Sequence, residues 1–142
     1  MDYVYAITPF AAWLVAGSLK FLVNSARAGK PAFGLIGYGG LPSNHSAIVS
    51  SMAALIALRE GIGSAAFGVA LTLAFIVILD ATRLRKQVGR QATAINALTG
   101  APAGSPQLRE RMGHSPTEIV AGVAVGVAVA WGVQHLMTAT VV

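Results

Sequence analysis

From Tyr3 to Val23 the chain is apolar but for one charge, Lys20, and a segment of this length reaches across a lipid bilayer. A spanning helix needs roughly 20 residues at 1.5 Å each. In hydrocarbon every backbone N–H and C=O must be paired within the protein, so such a run folds as helix. The constraint repeats. Ser64 to Leu79 carries no charge, and Ser115 to Met137 carries only Glu118 and the neutral His135. Ser43 to Leu58 is weaker, rich in Ala and Ser, which suits a helix packed among others through small side chains. Charged residues make up 11% of the 142 and the AVILMFWYC set 55%, whereas a soluble domain needs about 25% charged residues for its surface. These proportions exclude a soluble domain, and disorder with it. With no cysteine there is no thiolate metal site and no thiol nucleophile.

The expected architecture is therefore all-α: one integral membrane helical bundle over 1–142, with four to five membrane-embedded helices and no leader to remove. The spans are 3–23, 43–58, 64–79 and 116–137. Residues 80–115 form a polar segment on one side, and its first part, 80–98, is an amphipathic helix with Leu84, Val88, Ala92, Ile95 and Leu98 spaced by threes and fours. Ser115-Pro116-Thr117-Glu118 reads as a capping box with proline at the first helical position. Gly122-x3-Gly126 marks a close helix-packing face, expected here to seat a second copy in a homodimer.

Ten Lys and Arg stand against five Asp and Glu. In an apolar chain this excess speaks for orientation and anionic lipid rather than nucleic acid. With the N-terminus outside, nine of the ten cations (Lys20, Arg27, Lys30, Arg83, Arg85, Lys86, Arg90, Arg109 and Arg111) fall inside and Arg59 alone outside. The rule that cations stay inside then places both termini outside a bacterial plasma membrane.

Most polar residues able to do chemistry share that inner side: Lys20, Arg27, Ser43, Asn44, His45, Asp80, Arg85, Arg109, His114 and Glu118. Ionisable groups within membrane helices are costly and mark functional sites. Two histidines among several cations, with few carboxylates, suit a phosphate group. Arginine binds its oxygens in a planar fork, lysine adds a point charge, and helix N-termini add free N–H groups. Each residue also has a plainer role: Lys20 as a snorkelling anchor, Arg83 to Arg90 as a solvated basic stretch, Glu118 as a cap. His135, at the far end of the last helix, has no assigned role.

The order of these residues resembles the type 2 phosphatidic acid phosphatase superfamily, which includes the vanadium-dependent haloperoxidases. Lys20-x6-Arg27 is similar to part of its first motif, Pro42-Ser43-Asn44-His45 to Pro-Ser-Gly-His, and His114-x3-Glu118 to His-x3-Asp. Its short divergent branch is closer, through Gly39-Gly40-Leu41-Pro42-Ser43-Asn44-His45-Ser46-Ala47, Asp80-Ala81 with Arg85 and Gly89-Arg90-Gln91-Ala92, and Gly113-His114-Ser115-Pro116 before Glu118. The chain departs from the wider pattern at Ala28 (Pro there), at Asn44 (Gly there) and at Arg109, which precedes His114 by five positions rather than six.

The resemblance implies a metal-independent and cofactor-free phosphatase of lipid phosphate monoesters or prenyl (pyro)phosphates, with phosphatidylglycerophosphate a candidate substrate. His114 would be the nucleophile, Glu118 its orienting partner and His45 the acid. Lys20, Arg27, Ser43, Asn44 and either or both of Arg85 and Arg109 would hold phosphate, with Asp80 in support. Two other readings stand beside it: a non-catalytic scaffold or anionic-lipid-binding protein, and a small transporter subunit using Lys20 and Asp80.

Overall fold

The computed structural model describes residues 3–33, 40–100, 107–110 and 112–139. Residues 34–39, and 101–106 and Arg111 of the expected polar segment, lie outside these residues. Among the described residues the elements are helices: α1 (Val4–Ala28), α2 (Asn44–Glu60), α3 (Ala65–Leu79), a π-helical turn (Asp80–Leu84), α4 (Arg85–Thr99) and α5 (Pro116–Ala139).

The bundle is built around α2, which packs against α1, α3 and α5. Its buried residues, Ser46, Ala47, Ser50, Ser51, Ala53, Leu55 and Ile56, are mostly small and surround the helix. The serine hydroxyls are paired locally, Ser50 Oγ donating to Ser46 O at 2.6 Å and Ser51 Oγ to Ile48 O at 2.8 Å. A helix with this content gains little from lipid and much from close neighbours. Among the described residues three helices are long and apolar enough to cross a membrane, α1, the continuous helix Ala65–Thr99 and α5, and α2 is their shared packing core.

Large side chains face outward, among them Phe10, Trp13, Phe75 and Trp131, as lipid contact allows. Interior apolar clusters, Val4 with Leu55 and Ala130, and Ala53 with Ile56 and Ala70, join the start of α1, the end of α2 and the start of α3. They occupy one end of the bundle and leave the other end to polar groups.

The chain passes through the π turn into α4 without leaving the helix, and the resulting 35 residues extend about 52 Å, well beyond a hydrocarbon core of about 30 Å. The spaced apolar residues of α4 do not form a stripe buried in the protein. Ala92 is buried, but Leu84, Val88, Ile95 and Leu98 are exposed, because α4 projects past the bundle. Its buried Gly89 and Ala92 face a returning segment instead: a Cβ on Gly89 would strike the carbonyl of Glu110. Asn96 fastens that segment, its Nδ2 donating to Leu108 O and its Oδ1 accepting from Leu108 N–H, at 2.9 and 3.0 Å.

The Gly122/Gly126 face is already used within the chain. A Cβ on Gly122 would strike Ser43 O, and one on Gly126 would strike Ala47 O and Ser50 Oγ. The motif seats α2, so these glycines are not available as a seam between copies.

Candidate functional site

Two helix N-termini meet at the polar end of the bundle. Ser43 caps α2, its Oγ accepting from Ser46 N–H and from Ser46 Oγ–H at 3.4 and 3.0 Å. Its own N–H donates to Glu118 O in the first turn of α5 at 2.9 Å. That bond, with the glycine seam beneath it, fixes the start of α2 beside the start of α5, and so His45 near His114.

The capping box of α5 forms as its sequence suggests. Glu118 N–H donates to Ser115 Oγ at 3.3 Å, and Ser115 N–H donates back to Glu118 Oε2 at 3.1 Å. The same Oε2 lies 2.8 Å from His114 Nδ1. An i,i+4 pair of this kind is reachable because His114 precedes the helix and folds back over its first turn. Its backbone is held by donation to Ala81 O in the π turn at 3.0 Å. Gly113 makes the approach, at φ 91°, where a Cβ would come within 2.8 Å of Lys86 Cγ. Because a carboxylate only accepts, Nδ1 carries a proton, and in the neutral imidazole Nε2 then keeps its lone pair. Among the described residues Nε2 has no hydrogen-bond partner. His114 is 7% exposed.

The π turn sets the opposite wall. In a regular helix residues five apart diverge by about 140°, whereas here Arg85 N–H reaches Asp80 O and the side chains stack, Arg85 Nε lying 3.3 Å from Asp80 Oδ2. The guanidinium then reaches His45, with Nη2 3.3 Å from Nε2. Single π turns inside α-helices recur at functional sites.

Lys20 closes the third side. The buried stripe of α1, Val4, Thr8, Ala12 and Ala16, advances by four residues, and Lys20 is its next member. The Lys20 ammonium acts electrostatically on Glu118, and His45 feels Arg85, His114, Lys20 and Asp80 together. Six expected site residues, from α1, α2, the π turn, α4 and the start of α5, therefore converge: Lys20, His45, Asp80, Arg85, His114 and Glu118.

The other four stand differently. Ser43 is fully buried, with its hydroxyl committed to capping. Asn44 turns its carboxamide toward α1, where Nδ2 would lie 3.6 Å from a Cβ on Gly17, rather than into the cluster. Arg27 is exposed in the last turn of α1, two turns beyond Lys20 on the same face. Arg109 lies between Leu108, bonded to Asn96, and Glu110, whose carbonyl lies against Gly89. Arg85 reaches a histidine, with Nη2 3.3 Å from His45 Nε2.

Three parts of the site are not among the expected residues: the Ala81 carbonyl, Gly113 with its positive φ, and the π turn. Ala81 and Gly113 adjoin Asp80 and His114 in the sequence, and the π turn has no mark there.

A model of the Divergent PAP2 family matches residues 2–129. The chain belongs to this family. Membrane protein YuiD of Bacillus subtilis (strain 168) is 33% identical over 105 residues, covering 63% of this chain and 66% of that relative's length. The match thus spans just under two thirds of the relative. No solved structure matches. In this divergent PAP2 protein the histidine-bearing blocks are those that the bundle brings to one end.

Proposed function

We propose that this membrane protein is a lipid phosphate phosphatase that works through a phosphohistidine on His114. The observation that carries the reading is the oriented imidazole. Glu118 holds the Nδ1 proton, and the bare Nε2 stands beside His45, Arg85 and Lys20. Nε2 attacks phosphorus and the ester P–O bond breaks. His45 gives a proton to the leaving alkoxide, so an alcohol departs. Water then attacks the phosphohistidine, His45 takes its proton, and the N–P bond breaks to free phosphate and the imidazole. Arg85 and Lys20 hold the equatorial oxygens.

The resting contact fits this sequence. A guanidinium has no acceptor, so His45 Nε2 accepts from Arg85 and holds no proton. A bound phosphate takes the arginine fork and leaves Nε2 free to carry the proton it later gives. The bias of nine cations to one supports a cytoplasmic face for this site. There the substrates are lipid phosphate monoesters of that leaflet, phosphatidylglycerophosphate or a prenyl phosphate among them.

The test is phosphate release by the detergent-purified chain from a panel of lipid phosphates with EDTA present. His45→Ala is expected to slow release from alkyl esters about 10²-fold, and release from an aryl ester, whose leaving group needs no acid, much less. Equal loss on both would remove His45 from the acid role, and no release from any lipid by a folded wild type would favour the scaffold reading. Asp80→Asn is expected to raise KM about fivefold at most, the scale of a half-exposed ion pair, with kcat nearly unchanged. A fall confined to kcat would show that Asp80 does more than position Arg85.

A further inference from the structure

A groove of about 630 Å³ lies along α1 beside the polar cluster, its lining including Trp13, Gly17, Ser18, Phe21, Phe33 and Asn44. Gly17 and Ser18 form a low floor, and Phe21 and Phe33, with ring centroids 5.1 Å apart, make a wall. The lining extends from Trp13 to Leu22, about 13 Å along the helix axis. Two features separate it from the plain lipid-facing surface elsewhere. It lies at the level of the site, since Lys20 falls within the same stretch of α1 and Asn44 stands at the start of α2, one residue before His45. It also has a polar head: Asn44 lines it, and the Oδ1 of that residue is buried without a hydrogen-bond partner, in a groove otherwise mostly apolar.

An apolar channel that ends at an amide, at the level of a cationic cluster, matches one kind of molecule, a hydrocarbon chain carrying a phosphate. We infer that this groove holds one hydrocarbon chain of the lipid phosphate, with its first carbons at Asn44 and its phosphate at Lys20 and Arg85. The inference rests on the phosphatase reading for its substrate but not for its test.

Gly17→Leu fills the floor from within. A first side-chain carbon at Gly17 meets Asn44 Nδ2 at 3.6 Å, an ordinary contact, so the rest of the leucine enters the groove and the bundle is undisturbed. Ser18→Leu, on the exposed side, fills it independently. The chain has two tryptophans, and Trp131 stacks on His135 on α5, so Trp131→Phe leaves Trp13 as the only reporter.

In that background, a brominated long-chain alkyl phosphate in detergent micelles is expected to quench Trp13 saturably. The same chain as an alcohol should need at least about tenfold more. Gly17→Leu and Ser18→Leu should each weaken quenching by the phosphate about tenfold and raise KM for a long-chain substrate alike, with a water-soluble short-chain phosphate ester turned over as before. Saturable quenching without phosphate release keeps the groove and overturns the phosphatase. Release with quenching that is equal for phosphate and alcohol, or indifferent to both leucines, overturns the groove. A change of mass in detergent on Gly17→Leu would make the face a seam between copies and overturn it as well.

Discussion

His114→Ala is expected to abolish phosphate release, a fall on the order of 10⁴-fold or more, the scale on which loss of a covalent nucleophile acts. The effect is the same whichever lipid is the substrate. Among the described residues Nε2 is the ring nitrogen in the cluster that has no hydrogen-bond partner and whose ring is aimed by a carboxylate. His45 Nε2 is occupied by Arg85 at 3.3 Å, and its ring lacks a comparable orienting acid. Removing His114 therefore removes the atom that would bond to phosphorus, and water cannot take its place without a base so positioned. Glu118→Gln should cost less, on the order of 10²-fold. Glutamine keeps an acceptor for Nδ1–H and for Ser115 N–H but loses the charge that favours the positive imidazole formed on attack. Phosphate label transferred from substrate should appear on the wild type as an acid-labile, alkali-stable adduct, absent from His114→Ala and present on His45→Ala. Retained turnover in His114→Ala would end the phosphohistidine mechanism. A label that survives that substitution would move the nucleophile to another residue.

Much of this arrangement is legible in the amino-acid sequence. Apolar runs place α1, α3 and α5, because a bilayer permits little else over such lengths. The capping box gives the start of α5 and, by its glutamate, the residue that orients His114. The Ala and Ser content of 43–58 announces a helix packed against others. What the sequence conceals is set by contacts between distant residues or by helix register. Nothing in Asp80-Ala81-Thr82-Arg83-Leu84 distinguishes a π turn from an α turn, yet only the wider turn brings Arg85 over Asp80 and onto His45. The backbone that carries Arg109 is held by Asn96, whose amide bonds a segment twelve residues away; spacing carries no such information. The stripe on α4 has helical period, but period reports a face and not what covers it. Adjacency to His45 suggests Asn44 as a phosphate ligand, although neighbours on a helix point about 100° apart.

The glycine pair on α5 illustrates the same limit and gives the second large effect. Gly126→Leu is expected to destabilise the bundle by about 3 kcal/mol or more, at the upper end of overpacking costs. A Cβ there meets Ala47 O and Ser50 Oγ and comes within 2.9 Å of Ser51 N. Two of these three atoms belong to the backbone of α2, so no rotamer change relieves the clash and the helices must part. Parting them weakens Ser43 N–H to Glu118 O at 2.9 Å, the bond that holds the start of α2 level with α5. Because His45 rides on α2 and Glu118 on α5, a shift of about 1 Å would cost roughly 10²-fold in any chemistry they share. Thermal unfolding in detergent, followed by loss of helicity, measures the first effect. Gly132→Ala supplies the contrast, since a Cβ there meets nothing within 4 Å and should stabilise the helix by about 0.5–1 kcal/mol. If Gly126→Leu unfolds with the wild type, α2 and α5 do not meet at this glycine, and the closeness of the two histidines loses its cause.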